Sequence, residues 1–175
     1  MILRRAVDAD RPAIADLHVA NWQATYRGTL PDAFLDDDAP PALREQWLAR
    51  PAQDGRLVAV VEDRGTIAAF VSVKPIAPSA LIDNLHVTAA HRGKGLGRRL
   101  LGWAAERIAE EGLSAAHLLV LEGNGAAEAF YRGLGAVETW RGLDDHFDSP
   151  VTAIRLDWPD IGALARACGA STPSP

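Results

Sequence analysis

The chain opens with a weak alternation of apolar and polar positions from Ile2 to Val7, which predicts a short first strand. Asp8 then reads as a helix N-cap, with Pro12 in the first turn and Ile14, Leu17, His18 and Asn21 at helical spacing as far as about Thr25. A turn-rich joint with Gly28 and Pro31 follows, and then a short acidic helix or loop from Asp32 to Asp38. Pro40 and Pro41 open another helix carrying Leu43, Trp47 and Leu48, and Pro51 stops it. From Arg56 the period changes from helical to strand-like. Arg56–Glu62 and Thr66–Lys74 predict two strands joined by the hairpin turn Asp63-Arg64-Gly65, and Leu81–Val87 predicts a third. Gly95–Glu111 predicts a long amphipathic helix with Leu96, Leu100, Leu101, Ala104 and Ile108 on one face and Gly112 at its end. Ala116–Leu121 is a continuous apolar run, the pattern of a strand covered on both faces. Ala126–Gly133 predicts a short helix, and Ala136–Trp140 and Val151–Leu156 a last pair of strands around an acidic loop from Gly142 to Pro150.

The predicted order is β-α-α-β-β-β-α-β-α-β-β. That order is a mixed α/β plan: an antiparallel meander and then a strand–helix–strand crossover. Residues 1–158 are expected to form a single domain. The segment 159–175, rich in Ala, Gly, Ser and Pro, is expected to be a partly disordered tail.

Composition narrows the function classes. The chain has 175 residues, of which 48% are hydrophobic and 23% charged, so a packed core is expected. The single cysteine, Cys168, leaves no disulfide framework, and the five histidines form no ligand pair at helical spacing, so no metal site is expected. A formal net charge of −5 argues against a nucleic-acid partner. No apolar run approaches the roughly 18 residues a membrane span needs, and Asp8 interrupts the N-terminus before a signal-peptide core could form. The expectation is a cytoplasmic protein with no membrane partner.

The most informative stretch is Arg92-Gly93-Lys94-Gly95-Leu96-Gly97-Arg98-Arg99, between a strand and a helix. Three glycines leave backbone N–H groups bare, and the helix N-terminus adds unpaired donors with partial positive charge. With four cationic side chains, this is an anion cradle suited to a pyrophosphate. A Walker loop would need Ser or Thr after Lys94, where Gly95 stands. A dinucleotide fingerprint would need G-x-G-x-x-G near the start of the fold, where this chain has G-x-G-x-G after several strands.

Arg92 to Gly97 matches the Arg/Gln-x-x-Gly-x-Gly/Ala signature of the GNAT acetyltransferase superfamily, and Leu118 to Ala136, with Glu122, Asn124, Ala127, Phe130 and Tyr131, resembles the second half of that family's acyl-CoA site. Asn21 to Gly28 also resembles the acceptor-side helix and joint of small bacterial members. The likeness covers roughly residues 1–156. It implies a central mixed, mostly antiparallel sheet with two splayed parallel strands, here Leu81–Val87 and Ala116–Leu121, flanked by helices.

The resemblance also implies an activity: N-acetyl transfer from acetyl-CoA to a primary amine of a small molecule or peptide, by direct attack in a ternary complex, in a chain that is commonly a homodimer. Leu85, His86 and Val87 would contact the pantetheine arm, and the strand's backbone groups are suited to pairing an extended amide-bearing ligand. Arg92, Gly93, Lys94, Gly95, Leu96, Gly97 and Arg98 would hold the pyrophosphate, and Asn124, Ala127, Phe130 and Tyr131 would line the arm. Tyr131 is the implied general acid for the leaving thiolate. Asp83 and His86 are candidate bases. Alternation puts Asp83 with Leu85 and Val87 on one face, and Asn84 with His86 on the other. Trp22, Tyr26 and Arg27 are candidates for one acceptor wall, with Asp144, Asp145 and His146 as another. Two other readings are a CoA-binding sensor or interaction module that has lost turnover, and a nucleotide-binding domain.

Overall fold

The computed structural model describes residues 1–49, 54–144 and 151–170. Its strands are β1 (Ile2–Arg5), β2 (Leu57–Asp63), β3 (Thr66–Lys74), β4 (Ala80–Val87), β5 (Ala116–Leu121), β6 (Val137–Asp144) and β7 (Val151–Trp158). Its helices are α1 (Arg11–Tyr26), α2 (Ala39–Leu48), α3 (Leu96–Glu110), α4 (Gly125–Gly133) and α5 (Ile161–Cys168). The strands hydrogen-bond as one mixed sheet in the order β1-β2-β3-β4-β5-β7-β6, the α/β architecture that the pattern predicts. No helix among the described residues is long and apolar enough to cross a membrane.

The chain divides into two compact units interleaved in sequence: Met1–Ser72 with Asn84–Leu100, and Val73–Asp83 with the described residues from Leu101 on. In the first unit β1 pairs antiparallel with β2, and Ile14, Ala15, Leu17, Trp47, Val60, Ile67 and Phe70 form one buried cluster. Each Ile, Leu, Val or Phe side chain among them contributes about 1.5–3 kcal/mol when removed from water. The hairpin between β2 and β3 turns through Arg64 (φ 51°) and Gly65 (φ 81°), as the primed two-residue turn requires.

Several boundaries differ from the sequence reading: β6 runs on to Asp144, where the acidic loop is expected from Gly142, and β1 ends at Arg5 rather than Val7. Asp8–Asp10 is a 3-10 turn, and the carboxylate that accepts a backbone N–H there is that of Asp10, from Val7 at 2.8 Å. Asp8 does not cap α1. The reason is Arg4, which grips Asp10 through two hydrogen bonds of 2.7 and 2.9 Å and fixes it against the turn. The acidic stretch Phe34–Asp38 is a π-helical turn that runs straight into α2. Pro40 and Pro41 fall in the first turn of α2, where a missing N–H costs nothing.

In the second unit β4 and β5 run parallel through the pairs Ala80↔Ala116 and Leu81↔His117. β7 lies antiparallel between β5 and β6. β5 is not covered on both faces, for Leu119 is 49% exposed. Trp140 is likewise exposed, its ring lying over Gly142 rather than in the core. The segment after residue 158 is not simply a tail. Asp160 accepts the Gly162 N–H at 2.8 Å to start α5, and Gly169 closes it in the left-handed conformation. Ile161, Leu164 and Ala165 are buried, and a Cβ on Gly102 of α3 would stand 3.2 Å from the Cys168 Cβ, so α5 packs closely on α3.

Candidate functional site

The glycine loop has the conformation its sequence suggests. Gly93 and Gly95 hold φ of 74° and 76°, a region that costs an L side chain strain, and open space surrounds the position a Cβ would take at either. Gly95 caps α3: its carbonyl accepts the Arg99 N–H at 3.0 Å. The N–H groups of Leu96, Gly97 and Arg98 lie in the first helical turn, where no intrahelical acceptor exists. Gly97 sits inside α3, so its role is to leave that turn bare rather than to bend the chain. Arg92, Lys94, Arg98 and Arg99 are all exposed, and residues 91–99 contain no acid. Bare donors, a helix N-terminus and unneutralised cations together fit a diphosphate.

The loop is braced on both sides. His91 bridges Thr88 Oγ1 at 2.7 Å and Asp63 Oδ2 at 3.1 Å, and its hydrogen bond pushes the Asp63 carboxyl below its ordinary value. With Asp63 ionised, His91 donates to it from Nε2. Asn21, buried on α1, donates from Nδ2 to the Val87 carbonyl at 3.2 Å and accepts from Arg92 at 3.4 Å. One carboxamide thus ties the end of β4 to the first cation of the cradle.

The C-terminal half of β4 carries the candidate bases. His86 is half-buried, with its ring 4.6 Å from that of His18 and 5.2 Å from that of Phe70. Burial pushes its imidazole well below the usual 6.5, and the neighbouring Arg92 cation pushes the same way. No hydrogen-bond partner reaches its ring nitrogens among the described residues. Asp83, by contrast, pairs with Lys74 Nζ at 3.0 Å. On α1, Trp22 and Tyr26 meet edge to face at 5.0 Å, both half-buried. Arg27 is taken up by Asp36, which it grips at 2.7 and 2.9 Å, and by Asp32 at 3.0 Å.

In the second unit Asn124 is the N-cap of α4, its Oδ1 accepting the Ala127 N–H at 3.3 Å. The two Nδ2 donors remain available to an acceptor. Phe130 is half-buried and Tyr131 is 8% exposed, with the Tyr131 ring edge-on to Trp158 at 5.9 Å. Leu85 and Val87 lie on β4 beyond its two ladder pairs with β5. Asp145 and His146 fall outside the described residues.

In the sequence His18 reads only as a helix position, and Asn21 as a helix position at the start of the stretch that resembles the acceptor-side helix. Their signal was two polar residues on the same spacing as Ile14 and Leu17. Buried polar groups need partners, and an unmet one costs about 1–3 kcal/mol.

Residues 13–136 match the family model described as the Acetyltransferase (GNAT) family. Over 170 residues the chain is 27% identical to the protein named uncharacterized N-acetyltransferase YuaI of Bacillus subtilis (strain 168), covering 93% of this chain and 95% of that one. Its fold is similar to that of ribosomal-protein-alanine N-acetyltransferase from Brucella melitensis (TM-score 0.68, 25% identity, 90% of this chain and 99% of that one). It is also similar to yncA, a putative acetyltransferase from Salmonella typhimurium solved with acetyl-CoA (TM-score 0.68, 21% identity, 90% and 92%). With the glycine loop, the mixed sheet and the family match in agreement, this chain belongs to the GNAT family of acetyltransferases.

Proposed function

We propose that the chain transfers the acetyl group of acetyl-CoA to a primary amine of a small molecule or peptide, by direct attack in a ternary complex. The observation that carries this reading is the 92–97 loop, with left-handed Gly93 and Gly95, unpaired helix N–H groups and exposed cations. Those groups would hold the pyrophosphate. The backbone of Leu85 and Val87 would meet the pantetheine amides, and Asn124 would offer its Nδ2 donors, with Ala127 and Phe130 beside it. Acetyl-CoA supplies the thioester carbonyl and the thiolate leaving group.

The amine must be neutral to attack, so a base must take its proton. His86 fits better than Asp83: it is neutral near pH 7 and its nitrogens are uncommitted, whereas the Asp83 carboxylate already holds Lys74. Tyr131 would return a proton to the sulfur. Trp22 and Tyr26 would form an aromatic wall that favours a cationic amine. Arg27 would shape that wall through Asp36 rather than bind the acceptor directly. The same reading takes the folded chain as one acyltransferase domain working in the cytoplasm, with neither nucleic acid nor membrane as partner. Thiol release from acetyl-CoA across polyamines, aminoglycosides, amino acids and peptide N-termini tests it. Release with at least one amine is the expected result. Silence across the panel, with CoA still bound in calorimetry, would replace it by the sensor reading.

A further inference from the structure

We propose that His18 is the positioning residue for His86: the Trp47 indole N–H, seated 3.1 Å from His18 Nδ1, fixes the His18 ring as the Nε2–H tautomer, so the one proton this pair of imidazoles can carry goes to His86. The inference rests on the reading of His86 as the base.

An indole nitrogen is a donor only, so the His18 Nδ1 that meets it must present a lone pair. Protonating that nitrogen would set two N–H groups against each other and strand a buried donor, since Trp47 is 2% and His18 3% exposed. The rings of His18 and His86 are in contact, and two imidazolium charges that close repel, so the pair titrates as a unit. His86 can accept a proton without breaking an internal hydrogen bond, and His18 cannot. The titratable group that faces His86 from α1 is His18, and the charged group that acts on it from the loop after β4 is Arg92. β3 presents Phe70, which touches both rings, and α2 presents Trp47 to His18; neither titrates.

The test is an imidazole titration of the whole chain by proton and nitrogen NMR, with the His86 signal assigned by His86→Gln. In the unaltered chain, His86 is expected to take up the proton as pH falls while His18 Nδ1 stays unprotonated. In His18→Asn, whose carboxamide oxygen can still accept from Trp47, the His86 midpoint should rise by about half a pH unit or more, as the ring that shields it from water is removed. The acidic limb of kcat/KM should move with it. In Trp47→Phe, His18 should take the proton first. The inference is overturned if His18 titrates ahead of His86 in the unaltered chain, a measurement that needs no variant, or if folded His18→Asn leaves the His86 midpoint in place. The titrations use neither acetyl-CoA nor an acceptor. A chain that shows the titration pattern but never releases thiol would therefore sink the enzymatic reading alone.

Discussion

Gly95→Ala puts a methyl group where nothing stands within 4 Å, so its effect is almost purely conformational. At φ 76° an L side chain costs about 1–2 kcal/mol. The loop is exposed and can relieve that strain locally by leaving the left-handed region. The cost then appears as a smaller fraction of chains with the cradle formed. One to two kcal/mol lowers that fraction by up to about 5–30-fold, and the apparent Kd for CoA rises by the same factor. Gly112→Ala is the matched control: φ is 77°, no atom lies within 4 Å, and the residue follows the C-terminal end of α3 rather than its start. Both variants should melt slightly early. Only Gly95→Ala should weaken CoA binding in titration calorimetry. Equal CoA affinity in Gly95→Ala and the unaltered chain, or equal weakening in both variants, would refute the cradle.

Tyr131→Phe keeps the edge contact with Trp158 and removes only the hydroxyl, so kcat should fall about 100-fold with CoA affinity retained; steady-state thiol release checks this, and an unchanged rate discards the acid role. His86→Gln should lower kcat/KM about 100-fold and flatten its acidic limb, whereas Asp83→Asn, which mainly frees Lys74, should lower it far less. The reverse ranking in the same assay would make Asp83 the base. Asp10→Asn should cost about 2 kcal/mol at neutral pH by removing charged hydrogen bonds from Arg4, read by urea unfolding. The Arg4 guanidinium holds the Asp10 carboxyl below its usual 3.8 in the folded chain. The contribution is therefore fully present above that value and is lost as pH falls below it, through the lowered folded-state value, so the two unfolding curves should converge in acid. A gap independent of pH would place the effect elsewhere.

The strands, the hairpin and α3 were legible because each rests on a local signal. Thr66–Lys74 and Ala116–Leu121 have the bounds that the pattern predicts, and Gly112 closes α3 with the positive φ expected of it. The cradle was legible for the same reason: bare donors and cations follow one another in sequence. The misses came where the deciding partner is remote. Whether Asp8 or Asp10 serves the turn before α1 depends on Arg4. α5 was hidden by the composition of its segment, although Asp160, the spacing Ile161, Leu164 and Ala165, and Gly169 spell a capped amphipathic helix. Exposure at Leu119 and Trp140 depends on what covers the sheet, which an apolar run does not encode.

The helix α1 shows why a periodic stripe and a functional site can coincide. His18, Asn21 and Trp22 stand at i, i+3 and i+4, so they share one face. Each meets a different neighbour: His18 touches His86, Asn21 holds the Val87 carbonyl and Arg92, and Trp22 meets Tyr26. Rotating α1 enough to disturb the His86 contact disturbs those of Asn21 as well and carries the Trp22–Tyr26 pair with it, because the helix backbone moves as a unit. The candidate base, the first cation of the cradle and the aromatic wall are therefore set by a single element. In the proposed reaction, an acceptor pressed against Trp22 and Tyr26 would bear on the helix that also holds Arg92 and touches His86. Such an arrangement would favour attack only when acceptor and acyl donor are both bound, as the proposed direct transfer in a ternary complex requires.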